Sequence, residues 1–63
     1  MSKKTVNMCI FNPETHEIDA AEVYTLGEEA EVRAAMLQME AFARGFPWQF
    51  YAGEKPFSFK EEP

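Results

Sequence analysis

The stretch that decides the fold runs from Thr25 to Pro47 and is TLGEEAEVRAAMLQMEAFARGFP. Most of its residues are strong helix formers, and its acidic start suits the positive end of a helix dipole. Thr25 and Glu28 have the spacing of a capping box, so the helix is expected to begin there. Gly45 and Pro47 predict its end, because glycine tolerates positive φ and proline cannot continue a helix. The stretch therefore predicts one α-helix with its body over residues 30–44.

Short runs of β-favouring residues lie on both sides of this helix. Residues 4–11 and 17–24 predict two strands, with turn chemistry between them at residues 12–15. After the helix, residues 48–51 predict a third strand and residues 57–59 a short fourth one. The predicted fold is α+β: a small antiparallel sheet of three to four strands, in chain order strand, strand, helix, strand, strand, with one α-helix packed on one face.

Size and composition limit the chain to one small domain over residues 1–63. A domain of this length buries only about 60% of the surface that its unfolded chain exposes. Cys9 is the only cysteine, so no disulfide forms within the chain, and no Cys/His pair has a zinc spacing. We expect no metal, no cofactor and a second subunit as a source of stability. The unpaired cysteine and the lack of a signal peptide or membrane span predict a cytoplasmic location.

No pattern in the sequence indicates catalysis. The most plausible reactive pair is Cys9 with His16, but a turn at residues 13–16 places Cys9 opposite residues 19–21. His16 is then at least three residues away along the strand, roughly 10 Å and outside hydrogen-bond reach. The three glycines are isolated, so no phosphate-binding loop is present. We expect a protein that is not an enzyme and has no catalytic residues.

An acidic segment from Pro13 to Glu31 contains seven carboxylates and no Lys or Arg. Two interpretations are open. The acids complement the helix dipole and keep a strand solvated, or they form a surface that competes for a basic site on a partner. Under the second interpretation, the candidate partner-binding residues are Glu17, Asp19 and Glu22. Direct nucleic-acid binding is disfavoured, because the net charge is −5 and the six basic residues are scattered.

Aromatic residues are concentrated in the last third of the chain. Alternation along the third strand sends Trp48 and Phe50 to one face of the sheet and Tyr51 to the other, so one helix cannot cover them all. Trp and Tyr frequently anchor protein interfaces, which makes Trp48 and Tyr51 further candidate partner-binding residues. A base-stacking platform is the rival interpretation, but such platforms combine aromatic residues with a basic groove.

The helix carries two apolar stripes at 100° per residue. The first is wide enough to be the face that packs on the sheet. Its members are Val32, Ala35, Met36, Met39, Phe42 and Ala43. The second lies opposite, has small residues with charged borders and is predicted to join two copies of the chain as a homodimer. Its members are Ala30, Ala34, Leu37 and Ala41. Idle alanines are the alternative interpretation of the second stripe.

These features favour a small acidic non-enzymatic protein that binds another protein, as an inhibitor or adaptor on the surface of a larger machine. In size and layout the chain is similar to phage-encoded inhibitors of host machinery, an analogy without a matched motif. A structural or assembly subunit of a permanent complex is one alternative, and a weak single-stranded nucleic-acid binder is another. Salt dependence distinguishes the last, because nucleic-acid binding weakens steeply with added salt.

Overall fold

The computed structural model describes residues 4–59 and contains three strands and one helix in that range. Strand β1 spans Thr5–Asn12, β2 spans Glu17–Thr25, helix α1 spans Glu28–Arg44 and β3 spans Gln49–Gly53. β1 is the central strand of one antiparallel sheet and pairs with β2 on one side and β3 on the other. The α+β class, the antiparallel sheet and the single helix are therefore confirmed.

The predicted fourth strand is wrong, because the sheet has three strands within residues 4–59. Phe57 and Phe59 lie outside the sheet, and their rings pack on the face opposite α1. Phe57 stacks on Phe11 with 4.2 Å between ring centroids and approaches Tyr51 at 5.1 Å. Phe59 stacks on His16 at 4.4 Å. The two phenylalanines are thus held by contacts between rings rather than by backbone pairing.

The hairpin between β1 and β2 is closed by Asn12. Its Oδ1 accepts hydrogen bonds from the backbone N–H groups of Glu14 and Thr15 at 2.9 and 3.2 Å. Its carbonyl oxygen accepts a third hydrogen bond from the His16 N–H at 2.8 Å. Asparagine is favoured at turns because its side chain can satisfy nearby backbone donors in this way. The predicted hairpin and its turn are confirmed.

The helix packs on the sheet through its small residues, which reverses the predicted orientation. Leu37 is only 2% exposed, and Ala30 and Ala41 are buried beside it against Met8 and Ile10 of β1. Larger side chains pack around this core: Val6, Tyr24 and Phe50 from the sheet, and Trp48 from just before β3. Side chains on the sheet side fill most of the space between the sheet and α1. Small helical side chains are therefore needed for close packing.

The predicted dimer stripe is therefore part of the core of a single chain. Ala30, Leu37 and Ala41 are buried, and Ala34 is partly buried against the same cluster. These side chains contact the chain's own sheet and are not available to a second copy. The prediction that this stripe forms a homodimer interface is wrong for that reason.

The two ends of α1 differ in how their backbone groups are capped. Gly27 precedes the helix, and no side chain caps its start, so the capping box predicted at Thr25 is wrong. Thr25 is instead the last residue of β2. At the other end Gly45 has φ of 89°, and its N–H donates to the carbonyl oxygens of Ala41 and Phe42 at 3.2 and 3.1 Å. The predicted glycine stop is confirmed.

Replacing Leu37 with Ala should destabilise the domain by about 2–5 kcal/mol, because the change leaves a cavity at a fully buried position. The matched control is Met39→Ala on the opposite side of α1, where the side chain is 70% exposed. We expect this control to stay within about 0.5 kcal/mol of the unmodified protein. Urea unfolding followed by Trp48 fluorescence measures both changes. A larger loss for Met39→Ala would mean that α1 is turned the other way.

Candidate protein-binding surface

A bulge in β2 turns two acidic side chains toward the same side of the sheet. Ile10 pairs with Asp19 and Met8 with Glu22, so three steps along β2 match two steps along β1. Ala20 lies in this irregularity with φ of 55°, and its N–H donates to Asp19 Oδ1 at 2.8 Å. In a regular strand, residues three apart point to opposite faces. The extra residue therefore places both carboxylates on the side that α1 covers.

Both carboxylates bind arginines of α1. The Nε and Nη2 atoms of Arg33 each donate to one oxygen of Glu22 at 2.8 Å. Arg44 donates from Nη2 to Asp19 Oδ2 at 2.8 Å and from Nε to Glu40 Oε2 at 3.1 Å. The hydrogen bond from Arg33 holds the pKa of Glu22 below its ordinary value, and the one from Arg44 does the same for Asp19. Two predicted partner-binding residues thus join the helix to the sheet within one chain.

The other predicted partner-binding residues lie at separate places. Glu17 is exposed at the start of β2 and accepts a hydrogen bond from Thr15 Oγ1 at 3.0 Å. Trp48 is half-buried against the core on the helix side of the sheet. Tyr51 is half-buried on the opposite face, where its hydroxyl donates to the Lys55 carbonyl oxygen at 2.6 Å. The predicted division of Trp48 and Tyr51 between the two faces is confirmed, but the five predicted residues do not form one surface.

A contiguous apolar surface lies instead on the outer side of α1, and we name it the outer helix face. It consists of Val32, Ala35, Met36, Met39, Phe42 and Ala43. Its four larger side chains are more than half exposed, and Phe42 reaches 88%. The sequence grouped these residues correctly but assigned them to the core. The width of this stripe predicts that it packs on the sheet, and that prediction is wrong because its larger side chains are exposed.

The outer helix face contains depressions as well as apolar side chains. One shallow depression is lined by Ala35, Gln38, Met39, Phe42 and Ala43, and a second by Met36, Met39, Glu40 and Ala43. Met39 and Ala43 therefore line both hollows. Residues 32–43 span about 17 Å along the helix axis, or roughly three turns. Phe46, just beyond the helix, is 92% exposed.

Charges around the outer helix face are predominantly acidic. Glu28, Glu29 and Glu31 are exposed in the first turn of α1. They carry more negative charge than the half positive charge of a helix N-terminus can offset. The two basic residues of α1 are Arg33 and Arg44, and both are in the ion pairs with β2. The surface is therefore apolar along its length and negative at its N-terminal end.

The face of the sheet opposite α1 holds a smaller depression of about 210 Å³, which Cys9 helps to line. Burial raises the pKa of the Cys9 thiol, which favours the unreactive protonated form. The register confirms that Cys9 lies opposite the β2 bulge, while His16 is at the turn and stacks on Phe59. Within residues 4–59 there is no group of three side chains that could hold a metal ion.

No family model, curated protein or solved structure matches this chain. Within the part of the chain that the structure describes, no helix is long and apolar enough to cross a membrane. The chemical character of the surfaces therefore provides the basis for a functional proposal.

Glu22→Gln should reduce the loss of stability on acidification. The folded-state pKa of Glu22 lies below its ordinary value of 4.5, so its ionised form stabilises the fold above that pH. This contribution disappears as the pH falls through the lowered value. The variant should be less stable at neutral pH and should lose less stability between about pH 5 and pH 3.

The urea midpoint measured at each pH tests this expectation. Glu14→Gln is the matched control, because Glu14 is an exposed turn residue outside the helix–sheet ion pairs. The control should keep the slope of the unmodified protein. The same slope in Glu22→Gln would show that the bond between Glu22 and Arg33 does not contribute to the pH dependence.

Proposed function

We propose that this chain is a small non-enzymatic protein-binding module that places the outer helix face on a partner protein. The observation that carries the proposal is the exposure of Met36, Met39 and Phe42 on a helix whose opposite side already packs on the sheet. Large exposed apolar patches on small proteins mark interaction sites. Methionine side chains are flexible and polarisable, which suits them to such contacts.

The module acts as an inhibitor or adaptor by occupying a surface of a larger macromolecule. A chain of 63 residues with such a face can cover a site on a partner. Within the acidic segment, Glu28, Glu29 and Glu31 at the N-terminal end of the outer helix face contribute mainly by attracting a basic partner and raising the association rate. We place the protein in the cytoplasm, where an unpaired cysteine remains reduced.

A subunit of a permanent assembly is the second candidate, and the exposure of Phe42 and Phe46 supports it. An obligate interface is more apolar than a transient one and leaves its subunits poorly soluble when separated. The isolated chain should therefore remain monomeric at micromolar concentration if it is an inhibitor or adaptor. Precipitation that is relieved only by one co-expressed protein would favour the assembly subunit.

Replacing Met39 and Phe42 together with Gln should abolish capture of the partner from a lysate of the source cells. Both side chains are more than half exposed, so the fold should persist. The matched control replaces Val23 and Leu26 with Gln, because these are exposed apolar residues outside the outer helix face. Quantitative mass spectrometry compares the lysate proteins that each tagged variant retains. Equal retention by the helix variant and the unmodified chain would refute the proposal.

A further inference from the structure

Resting on the proposed function, we infer that the outer helix face binds a basic amphipathic helix of the partner protein, about three turns long. The first argument is shape. The face is one side of a single helix and has two adjoining hollows, both lined by Met39 and Ala43. Side chains of a second helix fit such hollows, because helices pack by placing ridges in grooves. An amphipathic helix laid on an apolar surface is a recurrent mode of peptide recognition.

The second argument is charge. Glu28, Glu29 and Glu31 lie exposed at one end of the face, and Glu40 borders it near the other end. Arg44 offsets Glu40 at 3.1 Å, whereas the three N-terminal glutamates have no salt bridge within residues 4–59. A partner helix with Lys or Arg beside its apolar stripe would complement this end of the surface. An acidic helix would be repelled from it.

A second copy of the chain fits the same surface poorly. The face has Glu29 and Glu40 along one border and Glu31 and Gln38 along the other. In an antiparallel pair of helices, each border lies against the same border of the other copy. In a parallel pair, the border with Glu29 and Glu40 lies against the border with Glu31 and Gln38. Either arrangement brings Glu29 beside another glutamate. Arg33 stays paired with Glu22, and Arg44, which pairs with both Asp19 and Glu40, offsets only part of the acidic border. Like charges at a packed seam disfavour the pairing, so a basic partner fits better.

A membrane surface is also a poor occupant. Helices that lie on membranes carry Lys and Arg beside their apolar face, because the lipid headgroups that attract them are anionic. The border of the outer helix face is acidic, and the whole chain has a net charge of −5. Anionic lipid would therefore repel the end of the surface that a basic peptide helix would attract.

The probe is a synthetic helix of about 15 Leu and Lys residues arranged to place all Leu on one side. Isothermal titration calorimetry measures its binding to the full chain. One control peptide replaces every Lys with Glu, and another keeps the composition but scrambles the order. We expect the amphipathic basic peptide to bind at least about tenfold more tightly than either control, because both the stripe and the charge are required.

Two variants locate the binding on the protein. Met39→Gln with Phe42→Gln should weaken the basic peptide about tenfold or more, because these side chains form the centre of the contact. Changing Glu28, Glu29 and Glu31 to Gln should weaken it and flatten its salt dependence. The matched control changes Glu14, Glu17 and Glu54 to Gln, removes the same charge elsewhere and should alter affinity by less than about threefold. Circular dichroism checks that each variant is folded.

Several outcomes would overturn the inference. The basic peptide does not bind, or both glutamate variants weaken it equally, or vesicles of mixed neutral and anionic lipid capture the chain through Met39 and Phe42. A dimer in sedimentation experiments that Met39→Gln with Phe42→Gln dissociates would identify a second copy as the occupant. If the peptide fails while lysate capture still depends on these two residues, the partner class is wrong and the proposed function stands. If neither peptide binding nor lysate capture depends on Met39 and Phe42, both proposals fail.

Discussion

The close approach of α1 to the sheet through small side chains is the constraint on which the rest of the structure depends. Ile10 and Phe50 from the sheet, with Trp48 from just before β3, occupy most of the space between the sheet and α1. Leu37 is the one large helical side chain among the buried residues there. A helix turned the other way would add Met39 and Phe42 to this volume, and overpacking of that kind is destabilising. The bulkier helical residues are therefore left on the outside.

Ion pairs at the edge of the sheet fix the rotation of α1. Arg33 and Arg44 are eleven residues apart, about three helical turns, so they lie in one row above β2. The β2 bulge places Glu22 and Asp19 below that row, and the Arg44 guanidinium also lies 4.5 Å from the centre of the Trp48 ring. These contacts occupy both helical arginines on the inner side. The acidic character of the outer border is thus a consequence of how the helix is attached.

Local residue patterns predicted the elements, and contacts between distant residues decided what could not be predicted. The helix, its glycine stop, the hairpin and the opposite faces of Trp48 and Tyr51 follow from propensity and alternation. Periodicity shows two stripes on α1 but not which one faces inward, because that depends on side-chain volume in the sheet. The sequence does not predict the bulge at Ala20, since positive φ is usually signalled by glycine. One feature of the sequence does indicate which stripe faces inward. Arg33 and Arg44 border the stripe of small residues, and acids that can bind them lie in β2.

The outer helix face is an apolar surface that residues 4–59 leave exposed. One side of the sheet is covered by α1, and Phe57 and Phe59 pack on the other. Met36, Met39 and Phe42 are more than half exposed, and the apolar area that they expose to water costs about 25 cal/mol per Å². Burial in a complex recovers that free energy. A helix that holds its sheet with alanine and arginine while presenting methionine and phenylalanine outward is therefore suited to binding a second helix.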